Sequence, residues 1–271
     1  MNRPIVAGVD GSPNAVRAAC WAADEAARRG APLVLFNGFG VADALAKPDG
    51  SGAGWIEAQG LHGTAVLKEA ELVVRRRHPG LEVTLETSVD PPIPVLTERS
   101  GQARLVVLGS AGRGAVGDLL AASTGTALAA RSRCPVVVVR GTQDRPDLPV
   151  VAAVDGGPAC DAVLAAAFDE AESREVPLVA VHVDASPPGI LRTRRTVDAW
   201  AAKFPAVTAH WMVQHDHPRT HLLGQAAGAQ LLVAGRRGHR LGRTGRALLH
   251  HCGCPLLIVP ENGENHASTT R

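Results

Sequence analysis

Short apolar runs alternate with longer amphipathic stretches along the whole chain. Ile5–Val9 has the character of a strand buried on both faces, and the Asp-Gly-Ser-Pro that follows reads as a turn. Ala15 to Arg29 is Ala-rich, with Trp21, Ala22, Glu25 and Ala26 at helical spacing and Gly30 as the stop. Leu33–Phe36 predicts a second strand. Residues 41–54 hold Pro, Gly and Ser and read as a loop, and a helix is expected from Ile56 to Arg77, ended by Pro79-Gly80. Glu82–Ser88 alternates and predicts a strand, Ile93–Arg99 a short helix, Leu105–Leu108 a central strand, Ala115–Arg131 a helix and Val136–Val139 a last strand. Apolar strands that alternate with helices imply a parallel sheet covered on both faces, and right-handed crossovers make it doubly wound. Ligands of such folds sit beyond the carboxyl ends of the strands, where the strand order reverses. Asp10 and Gly109 both lie at such ends.

The pattern then repeats. Ile5-Val6-Ala7-Gly8-Val9-Asp10-Gly11-Ser12-Pro13 is echoed by Val150-Val151-Ala152-Ala153-Val154-Asp155-Gly156-Gly157-Pro158. Gly109-Ser110-Ala111-Gly112 is echoed by Gly235-Arg236-Arg237-Gly238, and Cys134-Pro135 by Cys254-Pro255. Strands of the second copy are expected at Val150–Val154, Leu178–Val183, Val207–Val213, Leu231–Ala234 and Leu256–Val259. The second copy is shorter, mainly in the loop and helix after its second strand, and again between its glycines and its last strand. The expected architecture is two tandem doubly wound α/β domains, each with a five-stranded parallel sheet, over residues 1–143 and 148–260. The linker Gly141–Pro149 is polar, and residues 261–271 lack a core pattern and read as a disordered tail.

The candidate chemistry lies at the strand ends. In Gly109-Ser110-Ala111-Gly112-Arg113-Gly114, followed by Ser123-Thr124, glycines would let backbone amides approach a phosphate. A helix amino terminus adds a positive partial charge, the hydroxyls further donors, and Arg113 a charge-assisted one. The alternative is a glycine turn that only permits close packing. Asp10 can accept from a sugar hydroxyl or an adenine-edge group. Its alternative is a helix cap or a turn-forming Asp, and its recurrence as Asp155 fits either role.

These motifs resemble the universal stress protein family in its tandem form, over nearly the whole chain, including the Val-Asp-Gly-Ser-Pro start and the Cys-Pro-Val-Val-Val-Val end. The resemblance implies a Rossmann-like fold of the adenine nucleotide alpha hydrolase type. ATP-binding members carry Gly-x-x-Gly, nine residues, then Gly-Ser or Gly-Thr. Here Gly109-x-x-Gly112 is followed by residues 113–121 and Ala122-Ser123, so the hydroxyl is kept and the glycine is not. If that position needs a positive φ or close phosphate contact, Ala costs roughly 1 kcal/mol. By resemblance, Asp10 contacts the adenosine with backbone from Gly8, Val9 and Asn37. Leu108 and Gly109 line the nucleotide, and Gly112, Ser123 and Thr124 hold phosphates, with Arg113 beside them. The implied ligand is ATP with Mg, held mainly in the first domain of a nucleotide-responsive stress or dormancy regulator. The implied assembly is a homodimer with pseudo-dimeric packing of the two domains and an unknown protein partner. In the second copy Asp155, Gly235, Gly238 and Thr244 are weaker counterparts. Only His239-Arg240-Leu241 separate Gly238 from Gly242, and Arg243 replaces the hydroxyl residue. That site is expected to be vestigial or to take something smaller. Arg236, Arg237, Arg240 and Arg243 read as an anion attractor or as a solvated basic turn.

Composition narrows the classes. Lys+Arg 28 against Asp+Glu 26, aromatic content of 3% and no Tyr argue against nucleic-acid or membrane-surface roles. No apolar run of signal or membrane-span length is found, and five Cys without scaffold spacing fit a reducing compartment, so a cytoplasmic location is expected. His250-His251-Cys252-Gly253-Cys254 and His215-Asp216-His217 read as packing and loop rather than metal sites. No P-loop and no Gly-x-Ser-x-Gly elbow occurs. Two other functions stand beside the leading one: a nucleotide-independent interaction module, and a slow ATPase resting on Asp10 or Asp118.

Overall fold

The computed structural model describes residues 2–40, 52–110, 117–140, 145–183, 187–214 and 217–261, which fall into two compact units, Met1–Leu128 and Ala129–Arg271. The first unit runs β1 (Ile5–Gly8), α1 (Pro13–Arg29), β2 (Leu33–Gly38), α2 (Gly52–Arg77), β3 (Val83–Ser88), α3 (Pro92–Arg99) and β4 (Leu105–Gly109). Helix α4 (Gly117–Arg131) crosses the boundary between the units. The strands pair in parallel in the order β3-β2-β1-β4, with Gly8 level with both Phe36 and Leu108. Strand order therefore reverses at β1, which has β2 on one side and β4 on the other.

Helix α1 shows why this layer forms. Ser12 caps it, its hydroxyl accepting the Ala15 amide at 3.1 Å, and Pro13 at the first position is already set for helical φ. The helix thus starts before Ala15. Ala15, Ala18, Ala19, Ala22, Ala23 and Ala26 are buried, and their small side chains let the helix lie close to the sheet. Gly30 ends it at φ 55°. Helix α2 begins earlier than the expected Ile56, at Gly52, and Trp55 in its first turn packs edge-on against Phe39. The predicted loop is thus helical over 52–54, and its remainder, 41–51, lies outside the described residues.

The second unit runs β5 (Val136–Val139), β6 (Val150–Val154), α5 (Cys160–Arg174), β7 (Leu178–Val183), α6 (Pro187–Ala201), β8 (Ala209–Gln214), α7 (Pro218–Ala227), β9 (Leu231–Gly235), α8 (Arg243–His251) and β10 (Leu256–Val259). Strands β8-β7-β6-β9-β10 pair in parallel in that order, the expected five-stranded sheet of the second copy. Strand β5 adds to its β10 edge antiparallel, with Val137 opposite Leu257. All eight residues of β5 and β10 are buried, so each apolar strand covers the other's edge. The duplication in sequence breaks between 143 and 148, whereas the packing boundary falls earlier because β5 joins the second unit. The end of the linker is pinned by Gln230, whose amide donates to the carbonyls of Pro146 and Leu148 at 2.7 and 2.6 Å.

Each unit also repeats a buried ion pair behind its sheet. Glu25, fully buried on α1, is held by Arg28 and Arg29. Glu170 on α5 is held by Arg174 at 3.0 Å.

Candidate functional site

At the carboxyl edge of the first unit, Asp10 follows β1. Its Oδ1 accepts the Ser12 amide at 2.9 Å, and Gly11 between them takes φ 85°. This is an Asx turn, with glycine where a side chain would be strained. Ser12, rather than Asp10, is the helix cap. Asp10 is exposed, and among the described residues no side chain pairs with its carboxylate. Val9 is buried, its amide donating to Phe36 and its carbonyl accepting the Asn37 side-chain amide at 2.7 Å. Gly8, Leu108 and Gly109 complete the edge. A Cβ on Gly8 would lie 2.7 Å from Leu108, and one on Gly109 would lie 2.6 Å from the Asn14 backbone. Asn14 in turn donates to the Ser110 carbonyl at 2.7 Å. The glycine at the end of β4 thus has a packing reason: α1 starts directly over it.

The structure therefore brings together Gly8, Val9, Asp10, Asn37, Leu108 and Gly109. Thr124 lies half-buried on α4. Gly112 and Arg113 lie outside the described residues, as does the side chain of Ser123.

The second unit builds the same turn and then closes it. Asp155 Oδ1 accepts the Gly157 amide at 2.8 Å, with Gly156 at φ 68°. Gly235 ends β9 as Gly109 ends β4, and a Cβ there would lie 2.6 Å from that of Ala159. Here, however, Arg237 reaches across and binds the other Asp155 oxygen at 2.5 Å. Both side chains are exposed, so the pair is worth about 0–1 kcal/mol. Gly238, at φ 52°, donates its amide to the carboxylate of Glu261. Thr244 sits in the first turn of α8.

Arg236 corrects the picture of a basic turn that is only solvated. It is buried, and its guanidinium donates to the carbonyls of Ala130, Gly238 and Ser132. Burial draws its pKa below the ordinary value, and Glu261 opposes that shift. Glu261 itself, placed by its sequence in a structureless tail, is held on Gly238. Counting from Cys134 and Cys254 aligns Glu261 with Gly141, and counting from the strand-end glycines aligns Arg237 with Ala111. That double replacement was the signal available in the sequence.

Cys252 and Cys254 are buried with their sulfurs 3.6 Å apart. Their hydrogen bond holds the Cys252 thiol below its ordinary pKa and pushes Cys254 up. Among the described residues no helix is long and apolar enough to cross a membrane.

With this geometry in place, comparison with known proteins is specific. Residues 1–140 match the model of the universal stress protein family. A universal stress protein of Mycolicibacterium smegmatis is 35% identical, covering 90% of this chain and 90% of its own length. The universal stress protein Rv2005c of Mycobacterium tuberculosis H37Rv is 32% identical over 95% of this chain and 97% of its own. A crystal structure of a universal stress protein from Archaeoglobus fulgidus has the same fold, with a TM-score of 0.77 at 16% identity, covering 95% of this chain and 96% of that one.

Proposed function

The chain belongs to the universal stress protein family, and from that premise we propose that its first repeat is an adenine-nucleotide site. It takes ATP with Mg, and the protein acts as a nucleotide-responsive regulator in stress or dormancy. The observation that carries this reading is the exposed Asp10 carboxylate at the point where strand order reverses, beside the carboxyl end of β4. Asp10 would accept from the adenosine. The backbone of Gly8 and Val9, held by Asn37, would form the floor, with Leu108 and Gly109 alongside. Gly112, Arg113, Ser123 and Thr124 would face the phosphates. The group supplies no reaction in this reading; bound nucleotide biases conformation and partner choice. The same reading takes the protein as a cytoplasmic homodimer that passes this state to a protein partner.

Calorimetric titration of the purified protein with Mg-ATP tests it. Heat of binding that is lost in Asp10→Ala, with the folded far-UV signal kept, is the expected result. Unchanged affinity in that variant would overturn the role given to Asp10. A second reading, an interaction module that works without nucleotide, is favoured by the packing reason found for Gly109 and by Ala122 in place of glycine. It predicts no heat with Mg-ATP.

A further inference from the structure

We propose that the second repeat contains an oxyanion site which the protein keeps shut with its own Glu261. The inference goes beyond the nucleotide reading of the first repeat and does not depend on it.

Topology sets the site up. Strands β9 and β10 are parallel neighbours with Gly235 level with Val259, and the Arg236 amide donates to the Val259 carbonyl at 2.9 Å. The chain therefore leaves both strands side by side. Past β9, Arg237 and Arg240 exchange backbone hydrogen bonds at 3.3 and 3.1 Å and make a tight turn with Gly238 inside it. Gly238 takes its positive φ without the strain a side chain would bring. Past β10, Pro260 is buried and delivers Glu261 onto the turn, where its carboxylate accepts the Gly238 amide.

A carboxylate seated on that amide stands in for one face of a phosphate. The same loop carries positive charge. Buried Arg236 feels Glu261, while its own donors go to three carbonyls. Arg237, Arg240 and Arg243 are exposed on the turn and at the start of α8. Four arginines on one short loop have this one carboxylate on the turn, with Asp155 at its margin holding Arg237. At the aligned positions of the first repeat stand Ala111 in place of Arg237 and Gly141 in place of Glu261. Among the described residues, plug and clasp are found in the second repeat. An incoming phosphate or pyrophosphate would displace Glu261 from Gly238, draw Arg237 off Asp155 and gain Arg240 and Arg243. The ligand class is a small oxyanion, because the loop between Gly238 and Gly242 is too short to follow a triphosphate.

The test is calorimetric titration of full-length wild type, Glu261→Gln and Glu261→Ser with inorganic pyrophosphate at fixed salt. Each Glu261 variant is expected to bind about tenfold more tightly than wild type, and Arg237→Ala added to either is expected to remove the gain. Equal affinity in wild type and both variants, or a gain that survives Arg237→Ala, would overturn the proposal. Failure of ATP to bind the first repeat would leave the comparison intact, since only the second repeat carries Glu261.

Discussion

The carboxyl edges of the two repeats share a backbone and differ in what their side chains do with it. After β1 and after β6 an Asp accepts an amide two residues on, across a glycine of positive φ. At the ends of β4 and β9 a glycine lets the start of the helix that follows β1 or β6 pass close by. In the first repeat this leaves Asp10 exposed and without a side-chain partner among the described residues. In the second, Arg237 takes the Asp and Glu261 takes the loop amide. The difference teaches that the motif alone does not report a binding site. Its backbone serves the turn and the close packing, and in the second repeat two side chains occupy it.

The largest expected effects lie in the frame that the repeats share. Glu25→Ala and Glu170→Ala each break a buried carboxylate–arginine cluster and should each cost about 3–5 kcal/mol in urea unfolding. A cost in only one repeat would show that the frames are not equivalent. Next, Gly109→Val should cost about 1–3 kcal/mol, because its Cβ meets helix backbone. Gly235→Val should cost a similar amount, because there the Ala159 Cβ at 2.6 Å is fixed to the helix backbone. No measurable cost at either position would contradict the packing reason. Asn37→Ala should cost about 1 kcal/mol through the lost bond to the Val9 carbonyl, read from the shift in urea midpoint.

The smallest effect separates the repeats by pH. Cys160 on α5 stands where the first repeat has Ala15, and burial pushes its thiol from 9.0 to about 11. A folded pKa above the unfolded one means stability that is fully present below pH 9.0 and is lost as pH rises through about 11. Cys160→Ala should therefore flatten the loss of stability in that window, measured by urea unfolding at a series of pH values. Identical slopes for the two proteins would contradict it.

Much of the fold was legible because period and punctuation agree. Val136–Val139 reads as a strand from its apolar run, and Gly30 reads as a helix stop because only a left-handed cap fits there. The recurrence of Asp-Gly was legible as a motif, but its local cause was not. Whether Asp10 or Ser12 caps α1 depends on which oxygen reaches which amide. The start of α2 was missed because Gly52-Ala53-Gly54 carries weak helix propensity, and Trp55 holds the turn through Phe39. The closing of the second edge was hidden for a different reason. Glu261 and Gly238 are distant in sequence, and only the parallel register of β9 and β10 sets them together.

The central claim, that the two edges have diverged into one open to nucleotide and one self-occupied, is tested most directly by counting. Protein saturated with Mg-ATP, freed of excess ligand and denatured, releases its nucleotide for quantification by chromatography. The account predicts one adenine nucleotide per chain, lost in Asp10→Ala and retained in Asp155→Ala. Two nucleotides per chain, or one that survives Asp10→Ala and disappears in Asp155→Ala, would contradict it.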